Sequence, residues 1–196
     1  MQWQRLTRGG LRQLQESLVP LFERTRVQRV YCSQLVPGLL QTPDYTTALF
    51  TTIVEQKGMP DDIAQAVPAR MARARVLREG DHRFAFLIEE AVLRHGLGGL
   101  DVMAAQLGHL LEAMTLPSVS LGIIPFGANR RQYPRENFHI YDSVQVGVEL
   151  VSAEVTITAP SEIKLYAKAF ETLAGMAVYG AKARGLITSA LAALDS

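Results

Sequence analysis

The run Val36-Pro37-Gly38-Leu39-Leu40-Gln41-Thr42-Pro43-Asp44-Tyr45 forces a turn and a helix start into ten residues. Pro37-Gly38 is a chain-reversal pair. Thr42 reads as an N-cap and Pro43 as the first helical residue, where a missing N–H costs nothing; Asp44 faces the positive end of the helix dipole. An extended piece around Arg29 to Gln34 therefore ends at the turn, and a helix runs from about Pro43 to Glu55.

Helical and extended signals alternate elsewhere. Leu11, Leu14, Leu18 and Phe22 recur at helical spacing, with Pro20 predicting a kink or restart. A second helix is expected from about Pro60 to Arg78, opened by Asp61-Asp62 and bent at Pro68. His82 to Ile88 reads as a buried strand, Leu100 to Met114 as an amphipathic helix, and Ser118 to Ile124 as a strand bounded by prolines. After the polar loop Gly127 to Glu136, Phe138 to Tyr141 and Gln145 to Ile157 are expected to pair antiparallel across Asp142-Ser143, since so short a link cannot make a parallel crossover. Final helices are expected from Pro160 to Val178 and Ala181 to Ala193, broken near Gly180. The pattern predicts an α+β fold: a small antiparallel sheet covered by several helices, one domain over 1–196.

Composition narrows the function classes. The 196 residues are 48% hydrophobic and 20% charged, enough for one sizeable core. The formal net charge is +1, with 13 basic and 10 acidic residues up to Gly98 and 7 and 9 from Gly99 onward. Neither half has the charge of a polyanion-binding arm. Apolar stretches are too short for a membrane span, and the one cysteine, Cys32, cannot form an internal disulfide. A cytoplasmic chain with no membrane association is expected.

Several segments, in order, resemble one family: Val36 to Tyr45, Tyr31 to Leu35, Ala69 to Arg73 with Arg75-Val76-Leu77, Ile88 to Arg94, Met103 to Leu111 with Leu116-Pro117, Ile124-Pro125-Phe126, and Leu165 to Phe170. The chain is similar to the domain of unknown function that follows the helix-turn-helix in Xre-type, antitoxin-like transcriptional regulators of actinobacteria. In that family a DNA-reading helix-turn-helix would precede the segment present here. Leu11 to Ser17 resembles the start of the downstream domain, so no helix-turn-helix is expected in this chain. The resemblance implies a regulatory domain that binds a small-molecule ligand or a small protein partner. A standalone enzyme of secondary metabolism, using the same apolar pocket for proton transfer or cyclisation, is the alternative.

Candidate residues follow from chemistry. Glu89 and Glu90 end an apolar strand, where partial burial could raise one carboxyl pKa for acid–base work, while Glu89 or Glu90 can instead sit near the N-terminus of the following short helix, stabilised by its dipole. His139 and Tyr141 share a strand face that Glu149 can meet if the hairpin register allows, either as a proton-transfer group or as a polar outer face. Under the enzyme alternative, Glu89, Glu90 and His139 would be catalytic. Tyr31, Gln41 and Tyr45 beside Leu39 and Leu40, together with Phe86, Tyr141 and Glu149, are the candidate ligand-binding residues.

The arginine groups Arg70, Arg73, Arg75, Arg78 and Arg130, Arg131, Arg135 with Tyr133 read as solvated faces or ion-pair partners rather than a nucleic-acid surface. Cys32 has no local partner to activate it and reads as a small buried hydrophobe. His109 and Glu112 share a helix face without further ligands, and Gly96 to Gly99 lacks the rest of a phosphate loop, so neither metal nor cofactor is expected. The helix ending at Met114 and the last two helices offer apolar surface for a possible homodimer.

Overall fold

The computed structural model describes residues 9–151 and 153–194. Helix α1 (Gly10–Arg24) leads into strand β1 (Val27–Cys32), and a short 3-10 turn at Gly38–Leu40 precedes α2 (Pro43–Lys57). Then come α3 (Ile63–Arg73), β2 (Arg83–Glu89), α4 (Leu100–Ala113) and β3 (Val119–Ile124). The antiparallel run β4 (Phe138–Tyr141), β5 (Gln145–Glu149) and β6 (Glu154–Ile157) is followed by α5 (Pro160–Ala174) and α6 (Gly180–Ala192).

The expected α+β architecture is present, with a sheet that is larger and mixed. Its six strands lie in the order β3-β2-β1-β4-β5-β6. β1 pairs parallel to β2, and β2 parallel to β3, because each link carries a helix across one face. β1 pairs antiparallel to β4, and the β4–β5 and β5–β6 pairs are hairpins. The single strand expected from Gln145 to Ile157 is therefore two strands that fold back on each other. The helix expected to reach Val178 stops at Ala174, and Val178 instead exchanges two backbone hydrogen bonds with Ile123 on the outer edge of β3.

Local chemistry accounts for the joints. The Thr42 hydroxyl accepts the Tyr45 N–H at 3.3 Å with Pro43 following, and α2 ends at Gly58 with φ 59°, a left-handed conformation that glycine adopts without steric cost. α1 continues through Pro20 and α3 through Pro68. Asp62 was expected to open α3 with its side chain; instead its carboxylate reaches 2.9 Å to both Leu11 N–H and Arg12 N–H and caps α1. Asp142 takes φ 52° at the β4–β5 turn, and its carboxylate accepts Val27 N–H at 2.8 Å, tying the hairpin to the start of β1.

Two apolar layers sandwich the sheet. On one face Val30, Phe84, Phe86, Ile88, Leu121 and Ile123 pack with Phe22, Tyr45, Met103, Leu107 and Ile187 from the helices. On the other, Tyr31, Leu87, Phe138, Ile140, Val146 and Val148 pack against Ile163, Phe170, Leu173 and Met176, in and just after α5. A third cluster of Leu11, Phe50 and Ala66 joins α1, α2 and α3.

Candidate functional site

Helix α3 turns a charged surface inward. Ala66, Arg70, Arg73 and Leu77 recur at spacings of four, three and four residues, the rhythm of a core-facing stripe, and two of these positions carry guanidinium groups. Arg73 is 6% exposed. The reading of the Arg70 to Arg78 group as a solvated face is corrected here: Arg75 and Arg78 face solvent, while Arg70 and Arg73 enter the layer between α1, α3 and the sheet. The signal was available in the periodicity, since both arginines share a stripe with Ala66 and Leu77.

The two arginines are satisfied very differently. Arg70 donates to Gln15 Oε1 at 3.0 Å and to Gln41 Oε1 at 2.6 Å, with its guanidinium carbon 4.5 Å from the Phe50 ring centroid. Arg73 stacks over Phe22 at 4.6 Å, but its Nε and Nη1 are buried without a hydrogen-bond partner. Neither arginine takes part in any ion pair among the described residues. Burial disfavours their charged forms, drawing Arg70 down to about 9 and Arg73 to about 10; both stay protonated at neutral pH.

The sheet meets this charge with polar side chains. Gln28 lies opposite Tyr141 in the β1–β4 register and His139 lies opposite Val30, so all three project toward α3. Gln28 is 1% exposed and both of its amide atoms lack a hydrogen-bond partner. Burial is the largest influence on Tyr141 and raises its pKa, with the charge of Arg73 opposing the rise. His139 Nδ1 is also unpaired, and its ring stacks on Tyr141 with centroids 6.1 Å apart. Burial, then the charges of Arg73 and Arg70, lower His139 to about 4, leaving a neutral imidazole.

Of the six buried side-chain polar atoms without partners among the described residues, five belong to Gln28, Arg73 and His139; the sixth is Arg29 Nε, on the opposite sheet face. Unpaired buried polar atoms each cost about 1–3 kcal/mol, so their concentration in one place is a specific feature of this fold.

The hairpin register also brings Glu149 to the same face, beyond Gly147, which pairs with His139. Its side chain is exposed, and desolvation by the surrounding protein raises its pKa while Lys57 and Arg70 oppose the shift. Gly38 backs the arginine pair: a Cβ there would stand 3.5 Å from Arg73 Nη2 and 3.7 Å from Arg70 Nη1. On the outer side, Arg73 and Phe22 form part of the wall of a groove of about 410 Å³, with Val19, Ala72, Val76 and His82.

The remaining candidates lie elsewhere. Leu39, Leu40, Tyr45 and Phe86 are core residues, and the Tyr45 hydroxyl accepts Val36 N–H at 3.3 Å. Gln41 donates to Val36 O at 2.8 Å and holds Arg70, so the turn that opens α2 also positions a guanidinium. Leu39 and Gln41 additionally line a smaller cleft of about 160 Å³.

Glu89 and Tyr31 occupy the opposite sheet face from His139. Arg130 grips Glu89 through two hydrogen bonds, at 2.8 and 2.5 Å, while the Tyr31 hydroxyl donates to the same carboxylate at 2.8 Å. The ion pair and its hydrogen bonds raise Arg130, and burial followed by Glu89 raises Tyr31. Glu90 accepts Phe126 N–H at 2.9 Å and pairs with Arg94 at 3.5 Å. The three catalytic candidates are thus not brought together: Glu89 is locked to a loop, Glu90 caps a strand-to-loop connection, and His139 lies across the sheet. Cys32 is buried and pushed up to about 12, chiefly by burial, which leaves a thiol rather than a thiolate.

No group of three or more His, Cys, Asp or Glu side chains suited to a metal is found among the described residues; His109 and Glu112 stand alone at 3.5 Å. No helix among them is long and apolar enough to cross a membrane. No curated protein matches the chain. A family model, the domain of unknown function DUF5753, matches residues 15–189, which takes in both arginines, β1 to β6 and all but the first turn of α1 and the end of α6. The chain belongs to the DUF5753 family.

Proposed function

We propose that this domain is a small-molecule-sensing module of a transcriptional regulator, with its ligand site on the sheet face under α3. The unpaired polar atoms of Gln28, Arg73 and His139, gathered on one interior surface, carry this reading. They are donors and acceptors held in place by the fold without an intramolecular use. Tyr141 and Glu149 extend the same surface, and Arg70 is fixed beside it through Gln15 and Gln41.

A ligand there touches the contact between α1 and α3. Phe22 of α1 lies against both Arg73 and Tyr141, and Gln15 of α1 holds Arg70. Binding that favours one packing of α1 passes to whatever α1 carries, and the shift is limited to the ligand's difference in affinity for the two packings. The resemblance to the effector half of Xre-type regulators gives this output its natural destination.

The test is a melting-temperature screen of the purified protein against fractionated small-molecule extract. A fraction that raises the melting temperature of the wild type but not of Arg73→Met supports the site. A fraction that stabilises both equally places the ligand elsewhere.

A further inference from the structure

The chemistry around Arg73 narrows the ligand class, an inference that rests on the sensing site proposed above. Arg73 is more than nine-tenths buried, has two unpaired nitrogens and has no ion-pair partner among the described residues. Arg70 stands next to it and, among the described residues, is bound by the neutral amides of Gln15 and Gln41 and by the Phe50 ring. His139 is neutral, so it neither adds positive charge nor supplies the missing negative one. The charge of Glu149 acts on Arg70 without an ion-pair contact among the described residues. Two guanidinium groups in a low-dielectric layer, with this little compensation, favour an anion strongly.

The body of the ligand is set by the groove on the outer side of Arg73. Its wall is apolar at Val19, Phe22, Ala72 and Val76, with the exposed carboxylates of Glu23 and Glu79 and the exposed guanidinium of Arg75 on the same groove. Two carboxylates against one exposed guanidinium give a multiply charged anion no net attraction along the groove, while the apolar wall stabilises a hydrocarbon or aryl group by about 25 cal/mol per Å² removed from water. The Gln28 amide N–H and the Tyr141 hydroxyl offer two donors beside the anion, a set suited to a planar group with two acceptor oxygens.

We infer that the ligand is a small organic carboxylate: its anionic end is held by Arg73 with Gln28 and Tyr141, and its apolar body lies along the α1–α3 groove. Binding requires the Phe22–Arg73 stack to loosen, since Phe22 packs on both Arg73 and Tyr141.

The probes are benzoate, phenylacetate, octanoate, neutral benzamide and inorganic phosphate, each titrated by calorimetry into wild type, Arg73→Met and, as a surface control, Arg184→Met, whose arginine is exposed on α6 away from the groove. Expected is carboxylate binding at least about tenfold tighter than benzamide, lost by about tenfold or more in Arg73→Met and kept in Arg184→Met. A second readout uses wild type alone: a bound carboxylate offsets the arginine charges and raises the His139 imidazole pKa followed by NMR, so a variant that fails to fold leaves the test intact. Benzamide binding as tightly as benzoate, or phosphate tighter than every carboxylate, overturns the ligand class and leaves the sensing site standing. No binding by any probe, with an unmoved His139 resonance, overturns the inference and leaves the cluster as a water-filled polar core; the extract screen then judges the sensing site separately.

Discussion

The Arg73 guanidinium carbon lies 4.6 Å over the Phe22 ring while Nε and Nη1 of the same side chain remain unpaired and buried. The stack satisfies one face of the group and none of its in-plane donors. Such an arginine lowers the stability of the ligand-free fold, because desolvation of the charge outweighs a cation–π contact of about 0.5–2 kcal/mol.

Arg73→Met is therefore expected to leave the ligand-free protein unchanged or to stabilise it by up to about 2 kcal/mol. Arg70→Met is expected to destabilise it by about 1–3 kcal/mol, since Gln15 and Gln41 lose their shared donor. Urea unfolding of the two variants separates them, and equal destabilisation would mean that Arg73 has a structural partner.

The imidazole of His139 gives a pH signature. Its folded pKa of about 4 lies below the ordinary value of 6.5, so the unfolded chain takes up a proton first as pH falls. The contribution of neutral His139 is fully present above pH 6.5, declines between about pH 6.5 and pH 4, and then levels off. The loss is on the order of 3 kcal/mol. Stability measured across that window should fall for wild type and fall less for His139→Gln; parallel curves would count against a buried neutral imidazole.

On the far face, Glu89 and Arg130 tie the loop between β3 and β4 to the end of β2. The same loop is held by Tyr166 donating to Glu136 at 3.0 Å and by Asn137 accepting Ser33 N–H at 2.8 Å. Arg130→Ala leaves Glu89 as a buried charge with only Tyr31 to solvate it, at an expected cost of about 3 kcal/mol. Hydrogen exchange should quicken in residues 126–136, while affinity at the Arg73 site stays unchanged. Slower or unaltered exchange there would contradict the role given to the ion pair.

Much of this architecture is readable along the chain. Thr42, Pro43 and Gly58 mark the ends of α2 by their own conformational preferences, and the alternation around Phe84 and Phe86 marks β2. Strand partners were less accessible, since nothing local to Val27–Cys32 says that it pairs parallel on one side and antiparallel on the other. The split of β5 from β6 was hidden because both halves are β-branched and the turn between them lacks a strong Gly or Pro signal. Strand alternation puts His139 and Tyr141 on one face, and whether Glu149 meets it depends on the hairpin register, which the pairing of His139 with Gly147 settles in favour of the same face. Gln28, Arg70 and Arg73 were missed as a site: a charge-rich helix ordinarily faces solvent, and only the stripe shared with Ala66 and Leu77 reveals that it does not.

Asp62 offers a separate check on how α1 is held. Its carboxylate caps α1 from the start of α3, so Asp62→Ala removes two charge-assisted hydrogen bonds to backbone N–H groups. A loss of about 1–2 kcal/mol in stability is expected, because the substitution strips a helix cap. If α1 is the element through which ligand binding is transmitted, the variant should also reduce the ligand-induced rise in melting temperature.

The most direct measurement is mass spectrometry of the small molecules released on unfolding from gently purified wild type and from Arg73→Met. The expected result is an organic acid retained by the wild type in near-stoichiometric amount and absent from the variant. Identical profiles from the two proteins, with Arg73→Met folded, would contradict a ligand site at Arg73.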